Sequence, residues 1–313
     1  MTSTLVNKRV LVTGASGFIG SHLCHRLVKE DAVVHAISRT TQLSLSSGIH
    51  HLQADISDYD SAHRVFVQAK PDIIFHLAGY VQGSRDLEHA RPALYGNLVT
   101  TVNLLTVAAE IGCERIVLTG SQDEPDPDEA TADTFVPPSP YAASKLAANS
   151  YARMFHALYQ LPVSVARIYM AYGPAQRDLN KLIPYVILSL LRGQTPRLSS
   201  GTRPMDWIYV DDVVDGMIAT AQSRTVDGQT IGLGTGIAHT AHDAATKIVT
   251  LMAPGATLAA GAMPDRPMEK ARLGNVAETR AKIDWQPAIS FDEGLRRTVE
   301  WYRNQIATGS ITV

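Results

Sequence analysis

Short runs of apolar residues alternate with longer amphipathic stretches through the first half of the chain. Val10-Leu11-Val12 and Ile73-Ile74-Phe75 are continuous apolar runs, the pattern of strands covered on both faces. Strands are predicted at Arg9–Thr13, Val33–Ser38, Ile73–His76, Arg115–Leu118 and Val163–Arg167. Helices are predicted between them at Phe18–Lys29, Ser61–Gln68, Asn97–Ile111 and Tyr141–Tyr159. That rhythm predicts an α/β fold, a doubly wound parallel sheet with helices on both faces. After Gly173-Pro174 the rhythm loosens, and helices at Leu182–Arg192, Val210–Gln222 and Phe291–Asn304 alternate with short strand-like pieces. The reading is a dinucleotide-binding domain over residues 1–172 and a smaller α/β substrate-binding lobe over residues 173–313, interleaved with the end of the sheet.

The first strand runs into Gly14-Ala15-Ser16-Gly17-Phe18-Ile19-Gly20, with glycines where a phosphate-binding turn needs them. The first allows the tight turn, the second lets the backbone approach a pyrophosphate, and the third lets helix and strand pack closely. The helix that follows points its N–H groups and positive dipole end at the phosphates. At the end of the second strand, where an acid would hold the ribose hydroxyls of NAD, the chain has Ser38-Arg39-Thr40. An arginine beside a hydroxyl suits a 2′-phosphate, which favours NADP(H) and leaves NAD(H) possible. Asp55, with Ile56 beside it, could accept the adenine amino group.

Tyr141 and Lys145 stand four apart at the start of a helix and so share a face. A phenol titrates near ~10, and a neighbouring ammonium lowers it toward neutrality. Tyr141 could then trade a proton with a carbonyl or alcohol while hydride moves. Ser121, just past the strand ending at Leu118, would hydrogen-bond the same oxygen.

With these residues in place, the chain resembles an extended short-chain dehydrogenase/reductase of the nucleotide-sugar epimerase, dehydratase and ketoreductase group. The resemblance spans about Arg9 to Arg303 and rests on the glycine loop, Ala54-Asp55, His76-Leu77-Ala78-Gly79, Asn97 and Thr119-Gly120-Ser121. It continues through Tyr141-Ala-Ala-Ser-Lys145, Tyr172-Gly173-Pro174, Trp207-Ile208-Tyr209-Val210-Asp211-Asp212 and Trp285-Gln286-Pro287. The resemblance implies that Ser121, Tyr141 and Lys145 are catalytic and that Lys145 also binds the nicotinamide ribose. It implies that Leu77, Ala78 and Gly79 line the cofactor and that Asn97 supports the site, although a helix N-cap accounts equally well for Asn97. Arg266, in Asp265-Arg266-Pro267, matches a family arginine that contacts a substrate diphosphate.

The chain departs from the family pattern at three places. In Arg167-Ile168-Tyr169-Met170-Ala171-Tyr172-Gly173-Pro174, Met170 replaces the family asparagine. Met205 stands where an arginine is usual, with Arg203 nearby as a substitute. A thioether donates no hydrogen bond, so the diphosphate grip is rearranged or the substrate is not a standard nucleotide sugar. Ser121 is followed by Gln122, counted among the substrate-binding candidates, and by Asp123, where sugar 4,6-dehydratases carry an acid pair. An amide is no general acid, so elimination is disfavoured. Asp123 and Glu124 otherwise read as the start of an acidic, solvated surface loop running to Pro140.

The expected reaction is NADP(H)-dependent reduction of a 4-keto-6-deoxy nucleotide sugar. A NAD-dependent nucleotide-sugar 4-epimerase is the alternative, then a 4,6-dehydratase, then a non-catalytic dinucleotide sensor. The last would be expected to lose Tyr141 or Lys145. Relatives commonly pair as homodimers through the helices corresponding to Asn97–Ile111 and Tyr141–Tyr159.

Composition changes little in this picture. A formal charge of −2 over 313 residues, with no basic run, gives no nucleic-acid footprint. Cys24 and Cys113 have no metal spacing and read as free thiols; His22, His25 and His50-His51 read as polar positions, and no metal site is expected. Asp211-Asp212 open a helix, where carboxylates suit the dipole. With no signal-peptide pattern at Met1–Lys8 and no uninterrupted apolar stretch of membrane-spanning length, a cytoplasmic enzyme is expected.

Overall fold

The computed structural model describes residues 5–40, 47–125, 136–262 and 271–311. The chain forms two compact units. The first comprises Met1–Ile168, Val214–Gly232 and Glu278–Trp285; the second comprises Tyr169–Val213, Leu233–Ala277 and Gln286–Val313. The first crossing falls between Ile168 and Tyr169, and the chain then returns to the first unit twice.

In the first unit β1 (Arg9–Thr13), α1 (Phe18–Lys29), β2 (Val33–Ser38), β3 (Ile49–Gln53), α2 (Tyr59–Ala69) and β4 (Ile73–His76) follow in order. A helical stretch comes next: a 3-10 turn at Leu87–His89, α3 (Ala90–Ala93), a π-helical turn at Leu94–Val99 and α4 (Thr100–Ile111). Then come β5 (Arg115–Ser121), α5 (Pro140–Tyr159) and β6 (Val163–Ile168). With β9 (Thr230–Leu233), a seven-stranded sheet forms in the order β3-β2-β1-β4-β5-β6-β9. From β3 across to β6 neighbouring strands pair in parallel, as continuous apolar strands covered on both faces predict. The expected doubly wound α/β architecture is therefore present.

Several elements differ from expectation: β5 runs on to Ser121 rather than ending at Leu118, α4 begins at Thr100 rather than Asn97, and the unpredicted strand β3 and the early start of α2 have local causes. β3 starts at Ile49, so His50 and His51 lie within a strand. His50 stacks on its cross-strand neighbour His35, with ring centroids 5.2 Å apart. α2 begins before Ser61 because Asp58 caps it, accepting the Ser61 N–H at 2.7 Å.

One side of the sheet is filled by Leu11, Phe66, Leu104, Leu105, Ile116 and Phe155, all buried. Burying these side chains contributes roughly 1.5–3 kcal/mol each. The helical stretch Leu87–Ile111 is long and apolar enough to cross a membrane by length and composition. Its Leu104, Leu105, Val107 and Ala108 are fully buried in this core, which accounts for the apolar composition.

The second unit contains β7 (Met170–Tyr172), α6 (Leu182–Leu191), β8 (Pro204–Tyr209), β10 (Ala238–Thr240), α8 (Ala241–Met252) and α10 (Phe291–Ala307). α7 (Val210–Gln222) and α9 (Val276–Ile283) each carry the chain across a unit boundary. Its sheet has the order β10-β8-β7. Tyr172 packs edge-on against Trp207, Tyr209 and Phe291, and its hydroxyl donates to the Phe291 carbonyl at 3.1 Å. Asp206, fully buried on β8, accepts from the backbone N–H groups of Thr235, Gly236 and Gly274 at 2.7, 2.9 and 2.7 Å. Asp211 and Asp212 do open α7, yet Asp212 is buried and also accepts from Ala288 and Ile289 N–H at 2.9 and 3.0 Å.

His76, at the end of β4, sits between the Thr13 and Thr101 hydroxyls at 2.7 and 3.1 Å. Burial lowers its pKa to about 3, with the nearby Lys145 charge adding to the effect. A group neutral in the fold but protonated when unfolded destabilises the fold as pH falls from its ordinary value of about 6.5 toward 3. Stability measured by denaturant is expected to decline across that window, with His76 contributing at most about 1.4 kcal/mol per pH unit. His76→Gln should flatten the decline by that amount. An unchanged slope would show that His76 is not buried neutral.

Candidate active site

The glycine loop is built from backbone contacts that leave no room for side chains. Gly14 has φ +68°, and a Cβ there would lie 2.6 Å from the Ala78 nitrogen. A Cβ on Gly20 would overlap the Gly14 carbonyl, and the Gly17 N–H donates to that same carbonyl at 2.9 Å. Gly17 caps α1 with no side chain, and the first turn of α1 carries no acidic residue. A helix start of this kind, reached through a cradle that a Cβ would fill, suits a dinucleotide pyrophosphate. Gly14, Ser16, Gly17, Phe18, Ile19 and Gly20 all lie on this turn and the start of α1.

The neighbouring candidates end the adjacent strands. Leu77 and Ala78 hang from Thr13, whose carbonyl accepts the Leu77 N–H at 3.2 Å and whose hydroxyl accepts the Ala78 N–H at 3.1 Å. Arg39 is exposed just past β2, its carbonyl accepting from the Gln53 amide at 3.0 Å. Asp55 accepts from the Ser57 N–H and hydroxyl at 2.9 and 2.7 Å, and these bonds hold its carboxyl below the usual range, with the Arg39 charge assisting. Ile56 is buried, and its carbonyl accepts from the Asn103 amide at 3.0 Å.

Asn97 is not a helix cap. It lies inside the π-helical turn, and its side chain ties two other segments to that turn. Its oxygen accepts the Tyr80 N–H at 2.7 Å; its amide donates to the Tyr80 carbonyl at 3.1 Å and to the Ser144 hydroxyl at 2.8 Å. A Cβ on Gly79 would come within 2.6 Å of the Asn97 oxygen. The widened turn displaces Asn97 from ordinary helical register, a geometry that periodicity does not reveal.

Tyr141 and Lys145 enter on the first turns of α5, where Ser139 caps the helix by accepting the Ala142 N–H at 3.2 Å and Pro140 occupies its start. The Ser121 and Tyr141 side chains share a hydrogen bond. The Ser121 hydroxyl already accepts the Asp123 N–H at 3.1 Å, which leaves its own proton to donate. Burial raises the Tyr141 phenol above its ordinary value, and the Ser121 bond opposes that rise. Lys145 is buried and donates to the Thr119 carbonyl at 2.8 Å; burial lowers its pKa to about 8, against the pull of Glu124. Ser121, Tyr141 and Lys145 therefore converge at the end of β5, a hydroxyl, a phenol and an ammonium able to manage one proton and one oxygen.

The expected solvated loop is corrected at its start. Glu124 is 1% exposed, and its carboxylate accepts the Ser121 N–H at 2.5 Å and the Asn149 amide. Residues 126–135 lie outside the described residues, as does Arg266. Gln122 is half-buried, its N–H donating to the Ile168 carbonyl at 3.1 Å. Arg203 is half-buried ahead of β8 in the second unit, Met205 is buried on β8 and Met170 is half-buried on β7. Cys24 and Cys113 are free thiols that burial pushes up to about 12. Among the described residues, no group of three or more His, Cys, Asp or Glu could hold a metal ion.

Residues 10–234 match the model of the NAD dependent epimerase/dehydratase family. The chain is similar to a UDP-glucose 4-epimerase of Mycolicibacterium smegmatis, 33% identical over 95% of this chain and 99% of that protein. It is also similar to a dTDP-glucose 4,6-dehydratase of Neisseria gonorrhoeae, 31% identical over 94% of this chain and 95% of that one. The crystal structure of the Thermus thermophilus UDP-glucose 4-epimerase in complex with NAD superposes with a TM-score of 0.82 at 26% identity, covering 94% and 98% of the two chains. Glycine cradle, convergent Ser-Tyr-Lys set and full-length similarity agree: the chain belongs to the NAD-dependent epimerase/dehydratase family, within the extended short-chain dehydrogenase/reductases.

Proposed function

We propose that this chain is a nucleotide-sugar 4-epimerase in which Tyr141, Lys145 and Ser121 handle the proton at the sugar C4 oxygen. The Ser121–Tyr141 hydrogen bond beside the buried Lys145 supports proton transfer at a sugar hydroxyl, and the observation that carries the choice against elimination is the amide Gln122 at the first position of a dehydratase's acid pair. UDP-glucose 4-epimerases among the relatives and neighbours support it. Gly14–Gly20, with Leu77, Ala78 and Gly79, would hold a nicotinamide dinucleotide, which when bound would supply hydride acceptance and return. Tyr141 takes the C4 hydroxyl proton and later gives one back, Ser121 donates a hydrogen bond to the same oxygen, and the Lys145 charge favours the Tyr141 phenolate. Elimination of water is disfavoured because Gln122 is an amide where dehydratases carry the first acid of a pair, which leaves Asp123 as the one carboxylate there.

A second reading, NADPH-dependent reduction of a 4-keto-6-deoxy nucleotide sugar, is favoured by one observation. Arg39 stands exposed past β2, where an acid would hold the ribose of NAD. The two readings separate by cofactor use. In fluorescence titrations at fixed salt, NADH is expected to bind at least as well as NADPH, and Arg39→Ala should leave NADH affinity unchanged. A preference for NADPH of tenfold or more, worth about 1.4 kcal/mol and collapsing in Arg39→Ala, would instead select reduction.

Incubation with UDP-glucose, followed by NMR of the sugar C4 configuration, tests the reaction itself. Tyr141→Phe is expected to lower turnover roughly 100- to 10,000-fold while dinucleotide binding persists. Undiminished turnover would overturn the role of Tyr141, and conversion of dTDP-glucose to a keto sugar would move the reading to elimination. We further propose a homodimer through the helices Asn97–Ile111 and Tyr141–Tyr159, the second of which exposes Tyr151, Leu158 and Tyr159. Sedimentation should give twice the chain mass, and a monomer at micromolar concentration would exclude it.

A further inference from the structure

Glu124 lies in a pocket made for a carboxylate. A Cβ on Gly120 would stand 3.1 Å from one of its oxygens and 2.9 Å from Val165, so the strand is bare where the acid folds back over it. Both hydrogen-bond partners, the Ser121 N–H and the Asn149 amide, donate, and neither calls for a proton on the acid. Asn149 is itself buried. The titratable and charged groups that face Glu124 are Arg167 on β6 and Lys145 and Tyr141 on α5, with Asp123 beside it on the turn. Burial favours the protonated acid, while the two cations and two donors favour the anion.

We propose that Glu124 is a positioning residue of the hydride-transfer site: its carboxylate fixes the turn that presents Ser121 to Tyr141 and is the buried counter-charge of Lys145. The first role follows from the bond to the Ser121 backbone, since the Asp123 N–H bonded to the Ser121 hydroxyl lies on the same turn. The second follows from placement and burial: Glu124 is bonded to Asn149, one turn beyond Lys145 on α5, and to Ser121, two residues past the Thr119 carbonyl to which Lys145 donates. A lysine with 7% exposure that donates to a neutral carbonyl and a threonine oxygen keeps its ammonium only with an anion close by. Any acceptor would serve the first role; only a charge serves the second. Glu124→Gln separates them, because the amide oxygen still accepts the Ser121 N–H and Asn149 can turn its own amide to accept from the new one.

The inference rests on the assignment of Lys145 to the proton chemistry, but its test needs no substrate. Lys145 is one of eight lysines in the chain, so lysine labelled with ¹³C at Cε gives a resolvable spectrum, assigned with Lys145→Arg. In the purified full chain Lys145 is expected to titrate near 8. In Glu124→Gln its midpoint should fall by about one unit or more, with circular dichroism unchanged. An unmoved midpoint in the folded variant would overturn the proposal. If Glu124→Gln does not fold, Asn149→Ala serves: losing one donor weakens the anion and should lower the Lys145 midpoint in the same direction, and an unmoved midpoint there overturns the proposal equally. Failure of the UDP-glucose reaction with the Lys145 shift intact would count against the proposed substrate alone.

Discussion

The constraint on which the first unit depends is the close approach of main chain to main chain at the ends of β1 and β4. Gly14 turns the chain at φ +68° against the Leu77–Ala78 backbone, and Gly20 brings α1 down onto the Gly14 carbonyl. Thr13 holds the second strand end with both its carbonyl and its hydroxyl. The same hydroxyl meets His76, whose other nitrogen reaches Thr101 on α4. A methyl group at Gly14 or Gly20 would therefore push apart a turn, a helix and the neighbouring strand together. Interiors packed at crystal density transmit such a displacement rather than absorb it.

Buried carboxylates extend this order outward by holding loops through their N–H groups. Asp206 gathers Thr235, Gly236 and Gly274; Asp212 gathers Ala288 and Ile289; Glu124 gathers Ser121 and Asn149. In each case N–H donors converge on a buried carboxyl, so the loss of water is offset by hydrogen bonds that tie the loop at that point. Glu124 differs from the other two in facing Lys145 of the candidate site. The desolvation that lowers Lys145 and the charge that opposes it come from one local arrangement, so the protonation of the site cannot be separated from the shape of the β5 turn.

What is legible in the sequence follows from how local each signal is. The glycine loop and the pair at Tyr141 and Lys145 are short motifs whose geometry is set within one turn or strand end, and they are readable directly. β3 is less so, because Ile49-His-His-Leu-Gln lacks an apolar run and its polar residues are explained by its place at the sheet edge, where His50 finds His35. Asn97 reads as a cap because a π-turn leaves no trace in composition. Glu124 reads as part of a charged run, although a glycine before Ser121 and an asparagine one turn after Lys145 are the available hints. Neither carries meaning until β5 and α5 are placed side by side.

The choice among reactions is not made by the Ser-Tyr-Lys geometry at all. A phenol that accepts a proton as an alcohol becomes a ketone must, by reversibility, deliver one as the ketone is reduced, so epimerisation and reduction ask the same of Tyr141, Lys145 and Ser121. The first residue that bears on the choice is Gln122, an amide at a position where sugar 4,6-dehydratases carry an acid. The second is Arg39, distant from the chemistry and exposed, which bears on whether a phosphorylated or plain ribose is held. A fold that conserves the proton machinery can thus change its reaction by altering what surrounds it. In this chain the departure from the family pattern within the first unit is Gln122, next in sequence to Ser121, while Ser121, Tyr141 and Lys145 are all present.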